Sequence, residues 1–218
     1  MRLDPTPPQE SEKDIVTDLL TDLNPQQREA VAQTEGPLLV LAGPGSGKTR
    51  VLTHRIAHLI EKGTDPWNIL AVTFTNRAAR EMRERLVALI GAEGQNVTMG
   101  TFHALGVRML RGHGSHVGVD RNFLIYDSDD QRAVVKQALG DLNLDEKLYA
   151  PRSIHSAISR AKNEGDTPKT FRTETYRDDI VQRVWERYQS LMRARNALDF
   201  DDLLIYTREL LAEVPRVL

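Results

Sequence analysis

Apolar residues along the chain occur either in short continuous runs or at the spacing of one helix face. Short runs bounded by turn residues predict buried strands, here over residues 37–41, 69–74, 97–101 and 123–126. Helical spacing follows each of the first three runs and dominates the chain from about residue 111 onward. Strands that alternate with helices predict a parallel sheet covered on both faces, so the expected fold class is α/β.

Helix boundaries and helix faces follow from the same pattern. Asn24, followed by a proline, predicts a capped helix that runs to Gln33, and Asn76 is the predicted cap of a later helix. Trp185 and Tyr188 lie on an apolar helical stripe, which predicts core positions for both. The helix after the first strand is expected to bury Val51, Leu52, Ile56, Leu59 and Ile60.

The chain divides into four predicted segments. Residues 1–22 form an acidic, proline-rich leader that we expect to be flexible up to about Asp14. Residues 23–110 form the first part of the α/β domain. Residues 111–196 are predominantly helical and form a predicted subdomain inserted into that domain, to which residues 197–218 return.

Composition narrows the class of protein. Hydrophobic residues make up 40% and charged residues 28% of the 218 positions, proportions typical of a globular protein. The formal net charge of −2 argues against a strongly basic coat protein for nucleic acid, and the absence of cysteine excludes disulfide scaffolds, thiolate zinc sites and thiol nucleophiles. The sequence has no apolar run long enough for a membrane span or a signal peptide, so we expect no membrane partner and a cytoplasmic location.

The strongest chemical signal lies between the first predicted strand and its helix. Residues 42–49 have the sequence AGPGSGKT, a G-x-x-x-x-G-K-T phosphate loop with alanine in place of the first glycine. In such a loop the backbone N–H groups wrap a polyphosphate, Lys48 reaches the β- and γ-phosphates, and the Thr49 hydroxyl ligates Mg²⁺. A glycine-rich turn with an accidental lysine is the competing interpretation. The predicted ATP-binding set comprises Ala42, Gly43, Pro44, Gly45, Ser46, Gly47, Lys48, Thr49 and Arg50, of which Lys48 and Thr49 are the candidate catalytic residues.

Further segments, taken together and in order, resemble the superfamily 1 DNA helicases of the UvrD/Rep/PcrA type. Beside the phosphate loop, the segments that carry the resemblance are residues 23–31, 71–82, 99–103 and 198–204, which match the family's Q motif, its motif Ia, the motif after it and a later motif. The resemblance implies a P-loop NTPase fold of the RecA-like type, with Gln27 on the adenine base of ATP. It also implies an ATP-dependent DNA helicase or translocase that moves 3′ to 5′ in DNA repair or replication.

The resemblance implies contacts with single-stranded DNA where two predicted strands end. Ligands of open α/β sheets bind at the carboxyl ends of strands, where hydroxyls, helix N–H groups and an aromatic ring suit phosphodiesters and bases. The local pattern alone instead favours Phe74 as a core residue and Asn76 as a helix cap. His103 is assigned to DNA contact rather than to chemistry. The implied set is Thr73, Phe74, Thr75, Asn76 and Arg77 in the first segment, with Thr101, Phe102 and His103 in the second.

The predicted helical subdomain carries an excess of positive charge. Residues 152–195 contain ten Arg or Lys residues and six acidic residues, and such a surface suits duplex phosphates through charge and counterion release. Arg160 and Lys162 are the candidates for this contact, next to a single-strand/duplex junction. A solvated helix face is an equally good interpretation for either residue.

Hydrolysis of ATP needs an aspartate that orders Mg²⁺ and a carboxylate that activates water. Asp127 ends the fourth apolar run and is the candidate metal ligand, but with Asp130 it also fits a helix cap, which is the favoured interpretation. In the family that the chain resembles, an Asp-Glu motif lies shortly beyond the last matched segment, and a second motor domain supplies an arginine finger. We therefore expect the 218 residues to be the N-terminal portion of a helicase, with an incomplete sheet, partnered by C-terminal helicase domains and inactive in hydrolysis alone.

Two other functions stay open at this point. A non-hydrolysing module would bind nucleotide and single-stranded DNA without hydrolysing the nucleotide. A small-molecule P-loop kinase would use Asp127, would transfer phosphate to a metabolite and would ignore DNA. The kinase hypothesis leaves the helicase-like segments unexplained.

Overall fold

The computed structural model describes residues 19–214 and 216, so most of the predicted acidic leader lies outside the described residues. The chain divides into two compact units, of which the first ends at Thr101 and the second begins at Phe102. The boundaries expected after residues 110 and 196 stay a prediction.

The described part of the first unit is built from helices around a short parallel sheet. Its elements are α1 (Pro25–Ala32), α2 (Lys48–Glu61), β1 (Leu70–Thr73), α3 (Asn76–Ile90) and β2 (Thr98–Thr101), with 3₁₀ turns at Pro66–Asn68 and Gly91–Gln95. β1 pairs with β2 in parallel, with Thr73 opposite Thr101. The predicted strands at residues 69–74 and 97–101 are therefore confirmed to within two residues.

Side chains at the helix starts explain where α1 and α3 begin. The Asn24 side chain accepts a hydrogen bond from the Gln27 N–H at 2.9 Å, and the Gln27 side chain accepts one from the Asn24 N–H at 3.1 Å. This reciprocal capping box confirms the predicted start of α1. In α3 the Thr75 hydroxyl accepts from the Ala78 N–H at 3.1 Å, so Thr75 is the cap and the predicted cap, Asn76, is the first helical residue.

The core of the first unit lies between α2, α3 and the sheet. Its buried members are Ile56, Ala57, Ile69, Met82, Leu86 and Val97. The predicted inward face of α2 is confirmed at Val51 and Ile56, whereas Leu59 and Ile60 are only partly buried. Leu52 is exposed, so its predicted burial is wrong for the described chain. Its side chain lines an open groove with Val51 and with Leu38 of the segment that precedes the loop.

An arginine covers the outer edge of β2. The Arg83 guanidinium on α3 donates to the carbonyls of Gln95 at 2.9 Å, Val97 at 3.2 Å and Met99 at 3.4 Å. Alternate carbonyls of a strand point to opposite edges, and the carbonyls of Val97 and Met99 are on the edge that β1 does not use. Arg83 thus satisfies backbone groups that a further strand would otherwise pair.

The strand predicted over residues 37–41 does not form. The segment has no regular secondary structure and no backbone hydrogen-bond partner, and Leu39 and Leu41 are 82% and 86% exposed. Leu38 and Val40 alternate with them and line a groove with Val51 of α2. The prediction is wrong here because an apolar run becomes a strand only where a neighbouring strand offers N–H and C=O groups, and neither β1 nor β2 pairs with it.

The second unit is mostly helical. Its described elements are α4 (Phe102–His113), β3 (Leu124–Ile125), α5 (Ser128–Asp141), α6 (Pro151–Glu164), α7 (Tyr176–Ala194), β4 (Ala197–Leu198) and α8 (Phe200–Glu213), with a 3₁₀ turn at Gly114–Val117. β3 pairs with β4 in parallel, with Leu124 opposite Ala197, so the chain returns to the same place after α5, α6 and α7. The described fold is α/β, with more helix than strand, as predicted in outline. None of the described helices is both long and apolar enough to cross a lipid bilayer.

Two apolar cores hold the second unit together. The first lies among α5, α6 and α7 and contains the fully buried side chains of Trp185 and Tyr188, which confirms their predicted core positions. The second joins α4 to α8 through Leu110, Leu203 and Leu210. Gly106, in the middle of α4, lies close to Leu203 and Thr207 of α8.

Gly106 is predicted to be required for the contact between α4 and α8. A Cβ atom at this position would lie 2.7 Å from Thr207 Oγ1 and 3.2 Å from the Leu203 carbonyl oxygen. We expect Gly106→Leu to lower the free energy of unfolding by about 2–3 kcal/mol through overpacking. Gly112→Ala in the same helix meets no atom within 4 Å and should be neutral or stabilising by up to about 1 kcal/mol. Urea titrations followed by circular dichroism compare the two, and equal effects would contradict the prediction.

Candidate functional site

The predicted phosphate loop connects the extended segment before it to the first turn of α2. Gly45 and Gly47 adopt left-handed backbone conformations, with φ of +74° and +82°. These conformations are readily available only to glycine. The Ser46 hydroxyl donates to the Gly43 carbonyl at 2.7 Å, which closes the turn. The spacing of glycines seen in the sequence is therefore the spacing that this turn needs.

Lys48, the first residue of α2, folds back over the loop. Its ammonium group donates to the carbonyl of Ala42 at 3.1 Å and to that of Gly43 at 2.7 Å. The side chain remains exposed, so the charge stays accessible from solvent. The structure thus places the candidate catalytic lysine beside the loop backbone.

The loop and the start of α2 present donors suited to an anion. The first backbone N–H that bonds back into the helix is that of Val51, which donates to the Gly47 carbonyl at 3.0 Å. The N–H groups of Lys48, Thr49 and Arg50 precede it and have no acceptor of their own in the helix. Space above the loop is open, because a Cβ atom built on Gly43 or Gly45 would meet nothing within 4 Å. Helix N–H groups, an ammonium group and a hydroxyl are the donor set that a polyphosphate with Mg²⁺ requires.

Gln27 packs directly against the loop. Its side-chain NH₂ group donates to the Ser46 carbonyl at 2.9 Å, while its side-chain oxygen takes part in the capping box of α1. A Cβ atom on Gly47 would lie 2.8 Å from Gln27 Nε2, so a side chain there would displace the Gln27 amide from its present position. The structure brings Gln27 and the loop together, as the predicted set requires, and the adenine contact itself stays a prediction.

Arg55 is a positioning residue that the sequence pattern did not reveal. Its guanidinium donates from α2 to the carbonyl of Ala30 at 2.9 Å and to the carbonyl of Gln33. Both carbonyls belong to the last turn and cap of α1, so Arg55 holds the far end of the helix that carries Gln27. An arginine at a polar helix position carries no local signal for such a contact, because its acceptors lie more than 20 residues away in sequence.

The candidate DNA-binding residues of the first unit lie where β1 and β2 end. Parallel pairing places Thr73 directly opposite Thr101, so the carboxyl ends of the two strands share one edge. The Thr73 hydroxyl donates to the Thr75 carbonyl at 3.0 Å. Thr101 is buried, so its side chain packs beneath this edge and is not part of the exposed surface. Arg77 forms an ion pair with Glu81, with Nε and Oε1 at 2.8 Å.

Phe74 lies between β1 and the cap of α3 and is 91% exposed. The interpretation of Phe74 as a core residue, which the local pattern alone favoured, is therefore wrong. The residue sits at the single position between strand and cap, where neither the sheet nor α3 covers it. An aromatic ring exposed at a strand end offers a face for base stacking.

Phe102 and His103 open α4 of the second unit. Phe102 is half-exposed. The ring of His103 meets the ring of Phe200 edge to face, with the two centroids 5.7 Å apart. Phe200 is the first residue of α8, so the orientation of His103 depends on where α8 begins.

One residue proposed for duplex contact is buried. The Lys162 side chain is only 4% exposed, and its ammonium group bonds to Asp199 at 2.6 Å and Asp202 at 2.7 Å. The prediction that Lys162 contacts duplex phosphates is wrong, and so is its interpretation as part of a solvated face. The side chain of Arg160 on the same helix is exposed, and its role stays a prediction.

Asp127 caps α5. Its Oδ1 atom accepts from the N–H groups of Asp129 at 2.8 Å and Asp130 at 3.0 Å, and Asp130 bonds back to the Asp127 N–H. Backbone hydrogen bonds from Asp130 and Asp129 lower the pKa of Asp127. The favoured interpretation as a helix cap is confirmed. Across residues 19–214, His, Asp and Glu side chains form no group of three that could hold a metal ion.

Comparisons with known proteins identify the family to which the sequence is similar. The sequence model of the UvrD/REP helicase N-terminal domain family matches residues 23–218. The chain is 50% identical over 207 residues to the ATP-dependent DNA helicase PcrA of Bacillus subtilis, a match that covers 94% of this chain and 28% of that protein. It is 49% identical to PcrA of Staphylococcus aureus and 48% identical to PcrA of Staphylococcus epidermidis, each over 203 residues, 92% of this chain and 28% of the relative.

The chain spans 28% of the length of these relatives, which corresponds to a single portion of each. The matched region begins at Leu23, just before the cap of α1, and includes the phosphate loop, both strand ends and the whole described part of the second unit. This chain therefore belongs to the UvrD/REP helicase N-terminal domain family.

Proposed function

We propose that the chain is the ATP-binding and single-stranded-DNA-binding portion of an ATP-dependent DNA helicase, with a RecA-like P-loop fold in its first unit. The observation that carries this proposal is the loop closed by Gly45 and Gly47, with Lys48 folded over it and Gln27 beside it. The relatives named PcrA are ATP-dependent DNA helicases, and this chain matches a limited part of their length. The activity of the whole protein is therefore part of the proposal.

ATP would lie across the loop. The N–H groups at the start of α2 would hold the phosphates, and Lys48 would exchange its two carbonyl partners for the β- and γ-phosphates. Thr49 is the residue that would ligate Mg²⁺, which neutralises phosphate charge when bound. Gln27 would donate to the adenine ring in place of the Ser46 carbonyl, because its NH₂ group already points toward the loop.

Single-stranded DNA would lie along the shared edge of β1 and β2. Phe74 supplies an exposed ring for stacking, and the exposed first turn of α3 supplies N–H groups and a nearby positive charge at Arg77. In the second unit, Phe102 and His103 are separate candidates for contact with single-stranded DNA. Movement from 3′ to 5′, preference for a single-strand/duplex junction and a cytoplasmic location complete the proposal by resemblance to the family.

Loss of the Lys48 ammonium group should strongly weaken nucleotide binding. We expect Lys48→Ala to weaken binding of a fluorescent ATP analogue by about 2–3 kcal/mol, because a charge-assisted contact with phosphate is removed. Lys62→Ala, at the exposed far end of the same helix, is the matched control and should leave the affinity unchanged. An unaltered affinity for Lys48→Ala in the same titration would refute the proposed ATP site.

Phe74 should contribute to single-strand affinity through stacking. We expect Phe74→Ala to weaken binding of labelled oligothymidine by about 1–3 kcal/mol, measured by fluorescence anisotropy. Trp67 is the control: it is also exposed but precedes β1, and so lies at the amino end of the strand. Trp67→Ala should leave the affinity at the wild-type level. Equal losses in both variants would point to non-specific apolar binding and would contradict the proposal.

A turnover assay separates the three candidate functions. The helicase proposal predicts DNA-stimulated phosphate release when the chain is joined to the remaining helicase domains, and little release from the 218 residues alone. A binding module would release no phosphate in either form. A kinase would transfer phosphate to a metabolite whether or not DNA is present. The confirmed capping role of Asp127 removes the main support for the kinase.

A further inference from the structure

The most deeply buried charged cluster of the described chain lies in the second unit, away from the phosphate loop in sequence. Lys162 extends from α6, and its Nζ atom lies 2.6 Å from Asp199 Oδ2 and 2.7 Å from Asp202 Oδ1. The hydroxyl of Tyr188 on α7 donates to Asp199 Oδ2 at 2.9 Å. Side chains from two helices therefore converge on the first turn of a third, α8.

The charges in this cluster depend on each other. Burial alone would lower the pKa of Lys162, but the neighbouring carboxylates of Asp202 and Asp199 more than offset this effect and raise it. Burial raises the pKa of Asp202 to about 6. A buried ion cluster is not required for stability, since apolar residues of similar size often serve as well. In this cluster the short directional bonds join Lys162 to the first turn of α8.

That geometry determines where α8 begins. Asp199 is the cap of α8, and its Oδ1 atom accepts from the Asp202 N–H at 2.8 Å, while Asp202 accepts from the Asp199 N–H at 3.2 Å. Both carboxylates that bond Lys162 therefore belong to the capping box itself. Phe200 follows the cap directly, and its ring makes the edge-to-face contact with His103.

We propose that Lys162 is a positioning residue that sets the orientation of His103 for contact with single-stranded DNA. The path runs from the Lys162 ammonium group to the Asp199 cap, then through Phe200 to the His103 ring. This inference rests on the proposed function, because it takes His103 to be a DNA contact. Lys162 itself touches no nucleic acid, since its side chain is almost fully buried.

A second set of bonds keeps α8 attached when Lys162 is removed. The Ser159 hydroxyl donates to Asp201 at 2.7 Å, and the Asn163 side chain donates to the same carboxylate at 3.1 Å. The Leu203 and Leu210 side chains also remain packed in the core with α4. Loss of Lys162 should therefore shift the first turn of α8 rather than release the helix.

The test compares Lys162→Met with Lys136→Met in the 218-residue chain. Methionine has a similar length but no charge, and the Lys136 ion pair with Glu146 lies on the surface, so the second variant controls for the substitution. We expect Lys162→Met to weaken oligothymidine binding by about tenfold, as for loss of one ring contact, with ATP-analogue affinity unchanged. Proton NMR of the six histidine rings, with His103 assigned through its absence in His103→Gln, should show the His103 signal moved. Lys136→Met should change neither readout.

Tyr188→Phe provides a milder variant, because it removes only the hydroxyl bond to Asp199 and keeps the ring in the core. Tyr188→Phe should shift the His103 signal in the same direction and weaken oligothymidine binding about two- to threefold. If Lys162→Met does not fold, the result for Tyr188→Phe tests the positioning role by itself. Wild-type affinity and an unmoved His103 signal in the folded variants would overturn the inference alone. Failure of the wild-type chain to bind oligothymidine would instead overturn the proposed function, and the inference with it.

Discussion

The left-handed backbone at Gly47 is the constraint on which the candidate nucleotide site depends. It ends the loop and starts α2 at Lys48, and a side chain at Gly47 would be strained at φ of +82° and would displace the amide of Gln27. The same glycine therefore aims the helix N–H groups outward and lets α1 approach the loop. Arg55 then bonds the other end of α1 to α2, so both ends of the helix that carries the base-binding candidate contact the loop or the helix that follows it.

Parallel pairing of two four-residue strands supplies the second feature of the first unit. Because both strands run in one direction, Thr73 and Thr101 end at the same edge, and Phe74 is left exposed beyond it. Arg83 satisfies the outer carbonyls of β2, which lets so small a sheet exist without a further strand on that side. The edge that we propose for single-stranded DNA thus follows from strand direction and strand length.

The second unit combines apolar packing with one buried ion cluster. Trp185 and the rest of the first core join α5, α6 and α7, and the close contact at Gly106 joins α4 to α8. Lys162 lies on α6 and bonds to Asp199, the cap of α8, so the residue that starts α8 also joins α8 to α6. Apolar contacts are non-directional, whereas the short bonds to the buried ammonium group have a direction, which is why we assign the cluster to positioning.

The sequence by itself determined the glycine turn of the predicted phosphate loop, the start of α1 and the order of the helices and of the strands that form. Glycine conformations, capping bonds and apolar spacing act between residues close in sequence, so they can be predicted without the fold. Tertiary structure alone decided that Lys162 is buried, since its carboxylate partners lie 37 and 40 residues away. It also decided that residues 37–41 remain unpaired and that Phe74 is exposed, because pairing and burial depend on which distant segments come to lie alongside.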